Sequence, residues 1–146
     1  MGRAGVLGDM HETLPSSPAV DLMQRYLACA RGGDFAAAYE LFAPDIALRI
    51  PGASAMAGAF HGRQVAIDYI EHARALSQAD DVELHVVDML AGRERVALLV
   101  RERFHRPYGP VDIHRANVYT VRDGEIVEIW IFEGDQYAVD ALLAAT

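Results

Sequence analysis

The stretch from Asp112 to Asp135, DIHRANVYTVRDGEIVEIWIFEGD, constrains the fold of this chain more than any other. Two runs rich in β-branched and aromatic residues flank Asp123-Gly124, a dipeptide suited to the left-handed backbone of a two-residue hairpin turn. Alternation along the first run puts Ile113, Arg115, Asn117, Tyr119 and Val121 on one face. His114, Ala116, Val118 and Thr120 fall on the other. In the second run Glu128, Trp130 and Phe132 oppose Val127, Ile129 and Ile131. That run is apolar on both faces near its end, which requires a cover on each side of the sheet. Asn117, sharing the face of Tyr119, then looks into a covered space. A polar group there needs a hydrogen bond or a ligand.

The segments upstream read as the cover. Ser17-Pro18 is a helix start with proline at the first helical position, and Val20, Met23, Leu27 and Ala30 form an apolar stripe with Leu22 and Tyr26 beside it. Gly32-Gly33 ends this helix. Asp34 caps a second one, Phe35 to about Ala43, and Pro44-Asp45 breaks it. Ile46 to Ile50 alternates as a short strand that stops at Pro51-Gly52. The small apolar residues from Ala53 to Phe60 are expected to be irregular and to cover a pocket mouth. His61-Gly62-Arg63 leads into a third helix reaching Ser77, with Ile67, Ile70 and Leu76 inward. Strands follow at Val82–Leu90 and Val96–Arg106, then the hairpin, then a short helix capped by Asp135. Helices first and an antiparallel meander second is an α+β order. Curvature of that sheet around the helices leaves a cone with a cavity.

With 146 residues the chain is sized for one domain, and its hydrophobic fraction of 52% supplies a core. The expected organisation is a flexible leader over residues 1–17 and one folded domain over 18–146. A single cysteine, Cys29, excludes an internal disulfide. A net charge of −8 argues against nucleic acid or an anionic membrane as partner. No apolar run approaches the roughly 18 residues of a membrane span. A cytoplasmic location is the expectation. The histidines lack the spacing of a metal site, and neither G-x-G-x-x-G nor G-x-x-x-x-G-K-[ST] occurs, so no metal and no cofactor are expected.

Several short runs, taken together, resemble a known family. Met23-Gln24-Arg25-Tyr26-Leu27, Arg31-Gly32-Gly33-Asp34-Phe35, Leu41-Phe42-Ala43-Pro44-Asp45 and Pro51-Gly52 are similar to the opening of the NTF2-like superfamily. His61-Gly62-Arg63 is similar to its lead into the third helix, and Val121 through Trp130 to its closing hairpin. The resemblance spans Pro18 to Thr146 and is closest to the SnoaL-like polyketide cyclase and ketosteroid isomerase branches. It implies three N-terminal helices packed on a strongly curved antiparallel sheet. It does not imply one activity, because the fold hosts isomerases, cyclases, epoxide hydrolases, dehydratases and silent binders.

Residue by residue, the resemblance makes Tyr26 the helix-one tyrosine that donates to an oxyanion. Asn117, or Ala116 if the alignment slips by one, takes the place of the second donor. Ile50 stands where the isomerases carry their general-base aspartate. Arg103 matches the arginine of limonene-epoxide hydrolases, but His105 and Phe132 replace its carboxylate partners. Phe132 also replaces the cyclase aspartate. His105, His114, Asn117 and Tyr26 loosely resemble the set used by scytalone-dehydratase-like enzymes.

Alternation alone groups Leu99, Arg101, Arg103 and His105 on one face of the long strand. With that face concave, His105 is the candidate general base, because histidine is the side chain best suited to proton transfer near neutrality. Tyr26 and Asn117 are the oxyanion donors, and Arg103 holds an anionic substrate group. Met56, Phe60, Tyr119, Trp130 and Phe132 are the expected apolar walls. Asp112 and His114 share a face that parity places outside the pocket. The expected partner is a small hydrophobic metabolite: a polyketide, a terpenoid or an aromatic. The function follows as isomerase, cyclase or dehydratase chemistry without a cofactor, or else non-catalytic ligand binding. A second copy is expected to pair through an outer sheet face carrying Val127, Ile129 and Ile131.

Overall fold

The computed structural model describes residues 17–144. All of the expected leader except Ser17 therefore lies outside the described residues. Ser17 is part of the fold: its Oγ accepts from the Val20 amide at 3.1 Å and caps helix α1, Pro18–Arg31. After Gly33 at φ +77°, Asp34 caps α2, Phe35–Tyr39, by accepting from the Ala37 amide at 3.1 Å.

Helix α2 is shorter than its sequence suggests. Strand β1 occupies Phe42–Ile50 and takes in Pro44-Asp45, which were expected to separate a helix from a later strand. Phe42 pairs with Ile126 and Ala47 with Glu128, and between them the register shifts. The irregularity accommodates Pro44, which has no amide to give to a ladder. Phe42 is fully buried, and its packing outweighs the helical reading of Leu41-Phe42-Ala43.

Next come β2, Gly58–His61; α3, Arg63–Ser77; β3, Asp81–Ala91; β4, Arg95–His105; β5, Val111–Arg122; β6, Glu125–Glu133; and α4, Gln136–Leu143. One six-stranded, curled sheet runs in the order β2-β1-β6-β5-β4-β3. All neighbours are antiparallel except β1 and β6, which are parallel. The β5–β6 turn is the one foreseen: Asp123 and Gly124 both adopt left-handed backbone, at φ +52° and +75°.

The segment after Pro51 is not irregular throughout, and residues 53–60 are not among those lining the main cavity. Gly58–His61 forms the edge strand β2, and the loop before it is tied to α4. The Ala53 amide donates to Gln136 Oε1 and the Ala55 amide to Asp140 Oδ1, each at 3.2 Å. Gly52 is favoured here by its backbone, at φ +114°; a Cβ would also meet the Gln136 side-chain Nε2 at 2.1 Å and displace it.

The main core lies between the concave face of the sheet and helices α1 and α3, with Met23, Phe42, Ile46, Leu48, Leu98 and Ile126 essentially sealed from solvent. A smaller cluster of Phe104, Ile113, Val139 and Leu142 closes the end of the sheet beneath α4. Among the described residues no helix is long and apolar enough to cross a membrane. Nor do any three His, Cys, Asp or Glu residues among them stand close enough to hold a metal ion.

Candidate functional site

Between the concave face and the helices lies a cavity of about 220 Å³. Its walls are mainly Leu27, Ile70, Leu84, Val100, Ile129 and Ile131. Polar side chains break this lining, among them Tyr26, Tyr69, Glu102, Arg115, Asn117 and Glu133. Tyr119 lies beneath them, buried.

Strand alternation brings these groups together. Asn117 pairs with Leu98 on β4 and Ile131 on β6; Arg115 pairs with Val100 and Glu133. Glu102, two residues beyond Val100, therefore also faces inward. Arg115 Nη1 donates to Glu102 Oε1, and Arg115 Nε donates to Glu133 Oε1 at 2.7 Å. Only 16% of the Arg115 side chain and 5% of the Glu133 side chain are exposed, so this trio is a partly buried ion network. Burial opposes the Arg115 charge, but Glu102 and Glu133 together outweigh it and hold the guanidinium charged.

Tyr26 reaches the cavity from α1, with its ring 5.6 Å from that of Tyr119. Burial, reinforced by the negative field of Glu102, pushes its phenol up to about 12, while a hydrogen bond with Tyr119 works the other way. Tyr119 is raised well above its usual value, by burial first and by Tyr26 second. Both phenols are thus protonated donors at neutral pH. Asn117 Nδ2 donates to the Tyr119 hydroxyl at 3.5 Å, and Asn117 Oδ1 is buried without a partner. Tyr69 is also pushed up to about 12, mainly by burial; its hydroxyl donates to the Met56 carbonyl at 2.9 Å.

Of the residues singled out from the sequence, Tyr26, Asn117 and Tyr119 meet in this cavity. Ala116 pairs with Leu99 and Phe132 on the convex face, so of the two alternatives Asn117 is the one that points inward. The expectation for β4 is reversed. Its inward side carries Leu98, Val100, Glu102 and Phe104; Leu99, Arg101, Arg103 and His105 face outward. Burial decided this, because Leu98, Val100 and Phe104 bury more apolar surface than the alternative set would. His105 is hydrogen-bonded through Nε2 to Glu83 on the neighbouring strand. Arg103 forms a two-pronged pair with Asp112 at 2.8 and 3.0 Å. Asp112 is thus engaged by an arginine, outside the cavity as its parity predicts.

Trp130 and Phe132 are likewise outside, stacked on each other with centroids 5.7 Å apart and planes 5° from parallel. The Arg49 guanidinium lies over Trp130 at 5.5 Å. On β6 the inward residues are Ile129, Ile131 and Glu133, so Ile129 and Ile131 do not form the outer face expected of them. Phe60 packs against Tyr69 at 4.9 Å, and both it and Met56 stand behind Tyr69, away from the cavity lining. The ion network of Glu102, Arg115 and Glu133 escaped notice. Arg115 shares the parity of Asn117 and Tyr119, which was the available signal.

A model of the SnoaL-like domain matches residues 23–129. An uncharacterised Mycobacterium tuberculosis protein, Rv0034, is 28% identical over 126 residues, covering 86% of this chain and 95% of its own. Among solved structures, Bal32a from a soil-derived mobile gene cassette superposes with a TM-score of 0.76 at 20% identity, over 87% of this chain and 97% of that one. TerC, co-crystallised with polyporic acid, gives 0.73 at 17% identity, over 88% and 100%. An NTF2-like protein from Burkholderia pseudomallei gives 0.75 at 18% identity, over 89% and 100%. The curled sheet, its strand order and the matched domain lead to one assignment: the chain belongs to the SnoaL-like family of NTF2-like folds.

Proposed function

We propose that this protein is a cofactor-independent enzyme that moves a proton on a small, mostly hydrophobic metabolite bound in the cone. Isomerase, cyclase and dehydratase reactions all fall within this chemistry. The supporting observation is that Glu102 and Asn117 from the sheet and Tyr26 from helix α1 line the same cavity. Glu102 replaces His105 as the base, since His105 is on the opposite face. Tyr26, kept protonated, donates to the oxygen on which charge develops, and a water-poor site strengthens that bond. Arg115 donates to Glu102 Oε1 and so positions the carboxylate. An apolar cavity of about 150 Å³ holds one benzene, so about 220 Å³ suits a molecule of one or two rings. The likeness in fold to TerC, co-crystallised with polyporic acid, supports a small organic ligand.

The test is exchange of the α-hydrogens of 2-tetralone, a two-ring ketone, in heavy water. The wild-type protein should accelerate deuterium uptake, and Glu102→Gln should remove most of that acceleration. Uptake no faster than in buffer would reject catalysis of this kind. The domain would then be read as a binder that releases its ligand unchanged.

Pairing of two copies through the convex face is a second proposal, favoured by the stack of half-buried Trp130 on exposed Phe132 and by exposed Leu99, in register with Phe132 across β5. These residues replace Val127, Ile129 and Ile131 as the basis for a homodimer.

A further inference from the structure

The charge and hydrogen-bond pattern of the cavity selects among ligands. Its inner wall carries two carboxylates, Glu102 and Glu133, against one guanidinium, Arg115, which both of them already engage. One negative charge is left in excess. Arg74, the other arginine at the cavity, is held at the rim by Glu71 at 2.8 Å and lies over the Phe35 ring at 3.9 Å. Neither cation is left over for an anion. An incoming carboxylate would lose its hydration beside like charges.

Asn117 supplies the second half of the pattern. Its Nδ2 donates to Tyr119, while Tyr119 itself hydrogen-bonds with Tyr26. With the Tyr119 proton used on Tyr26, the Tyr119 oxygen accepts from the amide nitrogen, which leaves Oδ1 as the Asn117 atom to be satisfied. Oδ1 is buried and has no partner. A buried acceptor of this kind calls for a donor from the ligand. Tyr26, which reaches the same cavity from α1, offers a proton in return.

Given that the cavity is the ligand site proposed above, we infer that it takes a neutral ring compound through a hydroxyl group and rejects the corresponding carboxylate. The hydroxyl donates to Asn117 Oδ1 and accepts from Tyr26. This is opposite to the anion-holding role expected of Arg103, which lies outside.

Binding of 2-naphthol and of 2-naphthoate to the full chain at neutral pH, followed by fluorescence, tests the inference. Naphthol should bind at least tenfold more tightly than naphthoate. Asn117→Ala should weaken naphthol about tenfold, and Glu102→Gln, which cancels the excess charge, should narrow the gap by strengthening naphthoate. Equal or tighter binding of naphthoate by the wild-type protein would overturn the inference without recourse to any variant. So would failure of both probes to bind. Neither result bears on deuterium uptake by 2-tetralone, which decides the catalytic reading separately.

Discussion

Arg115 is bonded through Nη1 to Glu102 and through Nε to Glu133, so a single side chain joins three neighbouring strands inside the cone. Arg115→Ala should cost about 3–5 kcal/mol in urea denaturation, because two carboxylates would be left buried without a counter-charge. Arg115→Lys should recover little of this, since an ammonium lacks the planar fork that serves both acids. The phenols offer a pH readout. Tyr26 and Tyr69 are each shifted upward to about 12, so the folded state binds their protons more tightly than the unfolded chain does. Their contribution to stability is complete below pH about 10 and is lost as pH rises through about 12. In a spectrophotometric titration near pH 11, the folded protein should show fewer ionised tyrosines than the six that the urea-unfolded chain carries. Full ionisation at that pH with the fold intact would contradict the burial of these rings.

The long strand β4 shows how an element assigns roles to its residues. It has a polar side, Arg101, Arg103 and His105, and an apolar side interrupted by one acid, Glu102. Functional expectation followed the polar side, whereas folding buried the apolar one and carried Glu102 in with it. His105→Ala should consequently leave 2-tetralone exchange unchanged, while Glu102→Gln should lower it by a factor on the order of 10²–10⁴, the usual contribution of a general base. The β5–β6 hairpin is different, because its turn is written locally. Gly124 sits at φ +75°, where a Cβ crowds the neighbouring carbonyl oxygen. Gly124→Ala should destabilise the fold by about 1–2 kcal/mol, measurable as a lower urea midpoint.

At the scale of the whole molecule, the sheet has a helix-covered concave side and a convex side that still carries Leu99 and Phe132 at 38% and 42% exposure, Phe132 stacked on Trp130. Sedimentation of the wild-type protein at micromolar concentration should give a dimer. Phe132→Glu should give a monomer with an unchanged cavity, and a wild-type monomer would remove the pairing proposal. The sequence by itself determined the helix starts at Ser17 and Asp34, the Asp123-Gly124 turn, the α+β order and the inward parity of Asn117 and Tyr119. Each of these rests on interactions within a few residues or on a simple alternation. Tertiary structure decided which face of β4 and β6 is concave, that Pro44 lies within a strand, and that Glu102, Arg115 and Glu133 meet. Alternation divides a strand into two faces without saying which is covered; that choice depends on the apolar area the opposing helices can bury.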